Sequence, residues 1–198
     1  MSQKIPAPKP EQIVGLACLS VGVGPGGSTS MLARVAVVDY RGQTLYCTYV
    51  RPTMTVTDYR TSTTGISSSH LSGSNVPAFE TVQQNVANLI KGKIIVGHSL
   101  WQDLSVLGIR HPAVTTRDVA LYQPFRNALR SPKHLVGLQT LVWHLMRRRC
   151  QDDHQDVLEN ARACVDLYRS HASEWEGAIS KGQWPSDLPP DTFSGCFL

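Results

Sequence analysis

The chain has 198 residues, of which 41% are hydrophobic and 17% charged, and its formal net charge is +4. This length and composition fit one globular domain and exclude a fibre or an extensively disordered chain. No apolar run approaches the about 20 residues that span a bilayer, and residues 1–10 lack the apolar segment of a secretory signal. We therefore predict an intracellular protein without a membrane partner.

Five cysteines are scattered along the chain and include no C-x-x-C pair. An odd number without that spacing disfavours both a disulfide framework and a zinc site. We expect Cys18, Cys47 and Cys164, which stand in apolar stretches, to be small core residues.

The first part of the chain predicts an antiparallel meander. A proline-rich lead-in, predicted to be disordered, covers residues 1–12. Residues 13–20 are apolar at consecutive positions, which is typical of a central strand buried on both faces. A loop rich in glycine over 21–28 separates this strand from two further predicted strands, 32–40 and 44–50, which a short turn joins.

The remainder alternates helices with short strands. The predicted helices lie between Pro77 and Gly92 and over 100–107, 138–149 and 157–170, and the predicted strands are 94–96 and 114–116. We divide the chain into a domain over 13–172 and an irregular C-terminal tail over 173–198. A meander followed by alternating helices and strands predicts an α/β fold, a mixed sheet flanked by helices.

Charge is unevenly distributed along the chain. Residues 101–150 contain eight Arg or Lys against two Asp, whereas residues 151–198 contain nine Asp or Glu against three Arg or Lys. A basic third next to an acidic third suggests a surface that attracts a phosphate backbone. The alternative is an ordinary mixed, solvated surface.

Eight short segments form an ordered set: LSVGVGP (19–25), LARV (32–35), YVRP (49–52), DYRT (58–61), LIKGKIIVGH (89–98), RD (117–118), PFR (124–126) and ARA (161–163). In this order and spacing they resemble the RNA exonuclease 4 subfamily of DEDDh 3′–5′ exonucleases, which includes the interferon-stimulated exonuclease. The resemblance covers about residues 13–170.

This resemblance implies an RNase H-like, DnaQ-like exonuclease fold and the removal of nucleotides from an RNA 3′ end. In such enzymes four carboxylates hold two Mg²⁺ or Mn²⁺ ions, and a histidine acts as general base toward the attacking water. The resemblance also implies nucleic-acid binding, a nuclear or nucleolar location and a role in rRNA processing.

The chain departs from the family pattern at most of the positions that would hold the metals. Ala17 and Leu19 stand at the two positions of the Asp-x-Glu motif, whose residues share one face of a strand. Asn160 and Gln155 stand where the family has an Asp and a His, and Asp103 alone matches a family carboxylate. We therefore predict no bound cofactor.

Two neighbouring residues offer replacement groups. His154 lies one residue from the position of the general base, and a one-residue loop adjustment would turn it toward the cleft. The alternative is an exposed loop histidine. Asp156 lies four residues before Asn160, and it would join Asp103 in holding Mg²⁺ or Mn²⁺ if activity is retained.

The candidates for nucleic-acid contacts are Arg60, His98, Trp101, Arg147, Arg148 and Arg149. Their expected partner is single-stranded RNA or a ribonucleoprotein. The resemblance places Arg60 and His98 near the cleft. Trp101 either stacks a base or packs in the core. The three consecutive arginines either bind phosphates or form a solvated helix end.

Three hypotheses for function follow. The first is a catalytically inactive pseudo-exonuclease that binds RNA or a protein partner. The second is a weakly active or rewired metal-dependent 3′–5′ RNA exonuclease that uses Asp103, Asp156 and His154. The third is a protein-interaction scaffold.

Overall fold

The structure is a computed structural model that describes residues 7–198, so the first half of the predicted lead-in lies outside the described residues. The strands are β1 (Ile13–Val23), β2 (Thr29–Asp39), β3 (Thr44–Tyr49), β4 (Val56–Asp58), β5 (Ile94–Gly97) and β6 (Thr116–Asp118). The helices are α1 (Thr61–Thr64), α2 (Ser68–Leu71), α3 (Phe79–Ile90), α4 (Leu100–Leu107), α5 (Gln123–Ala128), α6 (Leu138–Met146) and α7 (Val157–Ser180). None of the described helices is both long and apolar enough to cross a bilayer.

Strand β1 is the centre of the sheet, whose order is β3-β2-β1-β5-β6. β1 and β2 pair antiparallel, and β3 continues the meander on the outer edge of β2. On the other side of β1, β5 and then β6 pair in parallel. β4 adds a short antiparallel pair near the end of β1, at Gly22. The predicted mixed sheet, a three-stranded meander followed by parallel strands, is confirmed.

The side chains of β1 alternate between two hydrophobic cores, as expected of a strand covered on both faces. Val14 and Leu16 pack with residues of α3 and α4 on one face. Ala17 and Leu19 point to the other face and pack with residues of α5, α6 and α7. The two positions of the Asp-x-Glu motif therefore lie on the α6 and α7 side of the sheet.

Helix α7 extends to Ser180, whereas the sequence predicted an end at residue 170. Its apolar stripe continues through Trp175, which is 0% exposed and stacks on Tyr122 with the ring centroids 3.8 Å apart. Polar residues on both sides of Trp175 hide this stripe in the sequence. The predicted domain boundary between residues 172 and 173 is wrong, because it would divide a continuous helix.

The C-terminal tail packs against the rest of the domain. Phe193 and Phe197 lie against the buried Trp101, and Phe197 also forms a β-bridge with His111. Asp187 forms an ion pair with Arg126. The predicted irregular tail, 173–198, is helical up to Ser180 and includes a 3-10 segment, Asp191–Cys196. It is a covering layer of the domain and not a separate unit.

Candidate functional site

A cavity of about 460 Å³ opens where β1 passes the carboxyl end of β5, between helices α4, α6 and α7. Its lining is polar but almost free of charge. The lining residues are Ala17, Cys18, His98, Ser99, Gln102, Asp103, Gly137, Leu138, Gln139, Thr140, Gln151, Gln155, Asn160 and Cys164. Four of the five positions that the sequence analysis assigned to the family's metal site and general base line this cavity: Ala17, Asp103, Gln155 and Asn160.

Asp103 is the one carboxylate in the lining of this cavity, and it projects from the first turn of α4. Burial raises the pKa of the Asp103 carboxyl well above its usual range, and the negative charge of Asp118 raises it further. A hydrogen bond from the Cys18 backbone acts in the opposite direction. Burial in the cavity wall therefore favours the neutral form of this group.

The middle of β1 presents hydrocarbon where the family motif has carboxylates. Ala17 is 6% exposed and its methyl group lines the cavity. Leu19 is 3% exposed and packs in the hydrophobic core next to the cavity. The adjacent thiols of Cys18 and Cys164 have raised pKa values because they are buried, so both stay protonated at neutral pH. None of these four side chains is a ligand for a hard cation.

Asn160 is engaged by Gln151, a residue that the sequence analysis did not single out. The Gln151 Nε2 donates to Asn160 Oδ1 at 2.7 Å, and the Gln151 backbone N–H donates to Glu159 Oε2 at 2.8 Å. Gln151 adopts a left-handed φ of 59°, which turns the loop before α7 toward the cavity. No local pattern in the sequence predicts this turn, because the position carries neither glycine nor asparagine.

The structure does not bring His154 to the cavity. Its ring is exposed and packs beside Gly65, where an added Cβ would lie 3.4 Å from His154 Cγ. The following residue, Gln155, is fixed by a hydrogen bond of 2.8 Å from its backbone N–H to the Thr63 carbonyl. No loop adjustment takes place, so the prediction of His154 as a displaced general base has no support in the geometry.

Asp156 is likewise directed away from the cavity. Its carboxylate caps α7 by accepting from the Leu158 and Glu159 N–H groups at 2.9 and 3.0 Å, and it pairs with Arg34 Nη1 at 2.9 Å. Partial burial alone would raise its pKa, but these hydrogen bonds and the Arg34 charge lower it. The predicted metal role of Asp156 is contradicted, because an N-cap residue faces back along the helix start and not along the face of Asn160.

His98 lies on the cavity wall and is held in place by two contacts. Its Nε2 donates to the Val136 carbonyl at 2.8 Å, and Nδ1 lies 3.4 Å from Ser99 Oγ. Asp118 secures the adjoining start of α4 by accepting from the N–H groups of Ser99 and Leu100 at 3.0 and 2.7 Å. His98 therefore borders the cleft in a fixed orientation.

Arg60 borders a second cavity of about 470 Å³, which shares Cys18, Gln102 and Asp103 with the first. Its Nη1 donates to Ser20 Oγ at 2.9 Å and to Ser30 Oγ at 3.0 Å. A guanidinium held by neutral hydroxyl groups keeps its positive charge available at the cleft.

Trp101 is 1% exposed and is covered by Phe193 and Phe197 of the tail. The prediction that it stacks a base is therefore wrong, because neither face of its ring reaches solvent. The other alternative from the sequence, packing in the core, describes the structure.

The three consecutive arginines follow the end of α6 and differ from one another. Arg147 ends the helix with a left-handed φ of 54°, and Arg148 pairs with Asp166 at 2.7 Å. The Arg149 guanidinium lies 5.9 Å from the ring centroid of Trp143, which is 44% exposed. Trp143 is a further surface residue that the sequence analysis missed, since it stands within a predicted amphipathic helix.

Several known proteins that are similar to this chain in sequence are named as nucleases. The chain is 41% identical over 169 residues to RNA exonuclease 4 of Mycosarcoma maydis, which covers 85% of this chain and 44% of that protein. It is 37% identical to human RNA exonuclease 4 over 90% of this chain and 41% of that protein. By this similarity it is an exonuclease-fold protein of the RNA exonuclease 4 type.

Human apoptosis-enhancing nuclease is another relative of this RNA exonuclease 4-type domain, at 37% identity over 96% of the chain and 59% of that protein. The chain thus spans roughly half the length of these curated relatives. No protein-family model matches the sequence.

Solved structures confirm the RNase H-like exonuclease fold. The Neurospora crassa Pan2 catalytic unit, a protease and nuclease domain, aligns with a TM-score of 0.72 at 20% identity over 99% of this chain and 31% of that chain. A Saccharomyces cerevisiae Pan2 pseudoubiquitin hydrolase-RNA exonuclease module in complex with AAGGAA RNA aligns with a TM-score of 0.73 at 24% identity. This alignment covers 86% of this chain and 30% of that chain.

The donor set of this RNA exonuclease 4-type domain does not fit two divalent cations. Mg²⁺ and Mn²⁺ require several oxygen ligands, and clustered carboxylates normally supply them. Here a single buried carboxyl faces a methyl group and two amides, and the described residues contain no group of three His, Cys, Asp or Glu that could hold a metal.

Proposed function

We propose that this RNA exonuclease 4-type domain is a catalytically inactive pseudo-exonuclease that binds single-stranded RNA. One observation carries the proposal: Asp103 is the sole carboxylate in the lining of the cavity. A nuclear or nucleolar location and a place beside rRNA processing, which the resemblance implies, belong to the same proposal.

The loss of activity follows from the charge balance of the cavity. Metal-borne charge contributes several kcal/mol to transition-state stabilisation in two-metal hydrolysis. Ala17, Leu19 and Asn160 provide no negative charge to attract the cations, and the alternative groups on His154 and Asp156 point elsewhere. A weak or rewired exonuclease would therefore have only the Asp103 carboxylate to hold a metal ion.

Binding of RNA is supported by the basic residues that surround the cleft. Arg60 lies on one side of the cavity, and Arg149 lies beyond its other side. Positive groups that contact phosphates release counterions and give an affinity that falls steeply with salt. A scaffold that binds only protein would not bind the RNA even at low salt.

Nuclease activity is tested on a 5′-labelled single-stranded RNA incubated with the protein in Mg²⁺ and in Mn²⁺. The expected result is RNA of unchanged length. Shortening that depends on the metal and disappears in the Asp103→Asn variant would refute the pseudo-exonuclease and support the weakly active enzyme.

Binding is tested on the same RNA by fluorescence anisotropy across a salt series without divalent metal. We expect saturable binding that weakens as the salt concentration rises. An absence of binding at low salt would exclude the RNA-binding role and favour the protein-interaction scaffold. Calorimetric titration with Mn²⁺ should show no saturable heat, because the ligands are missing.

A further inference from the structure

A second concave surface lies next to the cavity, along α6 and the loop that follows it. This groove has a volume of about 380 Å³, and Trp143, Arg149 and Asp152 contribute to its lining. Trp143 is 44% exposed, and the Arg149 guanidinium lies 5.9 Å from its ring centroid. A large, half-exposed indole beside an arginine is a binding feature that the exonuclease fold does not require for its core.

We propose that Trp143 and Arg149 form a stacking subsite for an unpaired base of single-stranded RNA, adjacent to the cavity that would receive the RNA end. This inference rests on the proposed RNA-binding function and names a position at which a base is held. The indole face stacks the base, and the guanidinium contributes a cation–π contact and a charge for the neighbouring phosphate.

The groove is continuous with the cavity described above. Gln139 and Thr140, in the first turn of α6, line both spaces. A strand whose terminal nucleotide lies in the cavity therefore passes these two side chains and reaches Trp143 one turn further along the helix. No rearrangement of α6 is needed for this path.

The groove offers a phosphate group one unpaired arginine, Arg149. Within the described residues Arg147 and Arg149 have no carboxylate within ion-pair distance, whereas Arg148 is paired with Asp166. Asp152 is the single acidic residue of the groove lining. Arg149 therefore places in the groove lining a guanidinium that has no ion-pair partner among the described residues and can contact a phosphate.

The chain offers a matched control in Trp184. This tryptophan is 41% exposed and also lies near an arginine, with Arg117 at 5.7 Å from its ring centroid. Arg117, however, is 3% exposed and is paired with Glu176 at 2.7 Å, so its charge is already compensated. Trp184 lines a mainly apolar groove on the tail and not the cleft.

The test compares variants of the full chain in their affinity for a short single-stranded RNA at one fixed salt concentration. Trp143→Ala should weaken binding by about 5- to 150-fold, as removal of a stacking aromatic does. Trp143→Phe should retain most of the affinity, and Trp184→Ala should bind as the unmodified chain does. Arg149→Ala should weaken binding and lower the salt dependence by about one phosphate contact.

A second measurement follows the tryptophan emission during the titration. Trp101 and Trp175 are 1% and 0% exposed, so RNA changes the emission of the exposed indoles only. Stacking predicts quenching that persists in Trp184→Phe and disappears in Trp143→Phe.

The outcomes separate this inference from the proposed function. If the unmodified chain binds RNA and Trp143→Ala binds equally well, the stacking subsite is refuted while RNA binding stands. If the unmodified chain binds no RNA, both are refuted. Weakened binding in Trp143→Ala, with quenching lost in Trp143→Phe and thermal stability preserved, supports the subsite.

Discussion

Ala17 and Leu19 lower the negative charge of the cleft, because neither side chain carries the carboxylate of the family motif. A methyl and an isobutyl group in the middle of a buried strand are stabilised by packing alone, and they repel neither Asp103 nor each other. The amide of Asn160 finds its partner in Gln151, so the cavity needs no cation to balance it. At these three positions the cavity therefore has no negative charge for the fold to accommodate.

Returning the two acidic groups of the motif should destabilise the metal-free protein. The Ala17→Asp, Leu19→Glu double variant places two carboxyls at positions that are 6% and 3% exposed. We expect the free energy of unfolding to fall by about 3 kcal/mol or more, because buried polar groups without partners are costly. Thermal unfolding in a chelating buffer measures the change.

Leu19→Met is the control for this prediction, since a volume-conserving apolar exchange costs less than about 1.5 kcal/mol. A double variant that melts at the same temperature as the unmodified chain, or higher, would contradict the argument.

The addition of Asn160→Asp to that double variant should create Mn²⁺ binding. Four carboxylates then lie in or beside one cavity, and the cations relieve their repulsion. At a Mn²⁺ concentration about 100 times the dissociation constant, the gain in unfolding free energy is about 2.7 kcal/mol. The melting temperature of the triple variant should rise with Mn²⁺ while that of the unmodified chain stays constant. An equal rise in both proteins would show that the native donors already suffice.

At the scale of elements, the start of α7 decides which side chains reach the cleft. Asp156 caps the helix, and this cap places Gln155 and Asn160 on the cavity and His154 outside it. Gly15 allows the close approach of α7 to β1, because a Cβ at that position would lie 2.5 Å from Val165 Cγ2. The geometry of the site is therefore fixed by one cap and one glycine.

Removal of the cap should destabilise α7. Asp156→Ala eliminates both the cap and the ion pair with Arg34, and we expect a loss of about 1–2 kcal/mol in unfolding free energy. Asp156→Asn keeps the capping oxygen and should lose less. Chemical denaturation of the two variants measures both values, and a larger loss in Asp156→Asn would contradict the cap.

The Asp156 carboxylate should also make stability depend on pH. Its pKa in the folded chain is lowered, so its charge contributes fully above the unfolded value of about 3.9, and the contribution disappears as pH falls through the folded pKa. The difference in melting temperature between the unmodified chain and Asp156→Asn should therefore be constant near neutral pH and shrink in acid. A difference that grows on acidification would contradict this assignment.

The periodic elements were the ones that the sequence predicted well. Helix α4 spans the predicted residues, and the strands of the meander agree within a few positions, since their apolar patterns are long. The short elements β4, α1, α2 and α5 were missed, because three to six residues carry no measurable period. Helix α6 ends three residues before the predicted residue 149, because Arg147 takes a left-handed conformation. The sequence gives no sign of this end, since the position is not a glycine.

The candidate site divides in the same way. The positions of Ala17, Asp103, Gln155 and Asn160 follow from motif spacing, which survives even where the motif residues have changed. The roles of Gln151 and Trp143 could not be predicted from the sequence. The contact of Gln151 with Asn160 depends on a loop conformation, and the exposure of Trp143 depends on which face of α6 stays uncovered.

At the scale of the whole molecule, the tail completes the layer that covers α4. Phe197 packs against residues of two hydrophobic clusters, and Phe193 closes over Trp101. Phe197→Ala should lower the unfolding free energy by about 2 kcal/mol, because a partly buried aromatic ring loses its contacts. Emission from Trp101 should shift to the red as water reaches it.

Leu188 provides the control for the tail, since it is 81% exposed and Leu188→Ala should change stability by less than about 0.5 kcal/mol. Equal melting temperatures for the Phe197 and Leu188 variants would show that the tail contributes nothing to the core.

The contact between Cys196 and the Trp101 carbonyl joins residues that are 95 positions apart. During synthesis at about 5–20 residues per second, α4 must wait about 5–20 seconds for the segment that covers it. Throughout that interval the indole of Trp101 faces the interior of the ribosome vestibule or the surrounding solution. Chaperones that recognise exposed aromatic side chains can bind Trp101 during this interval. We expect the contact between the tail and α4 to form last in the folding of the domain, because it closes a long loop.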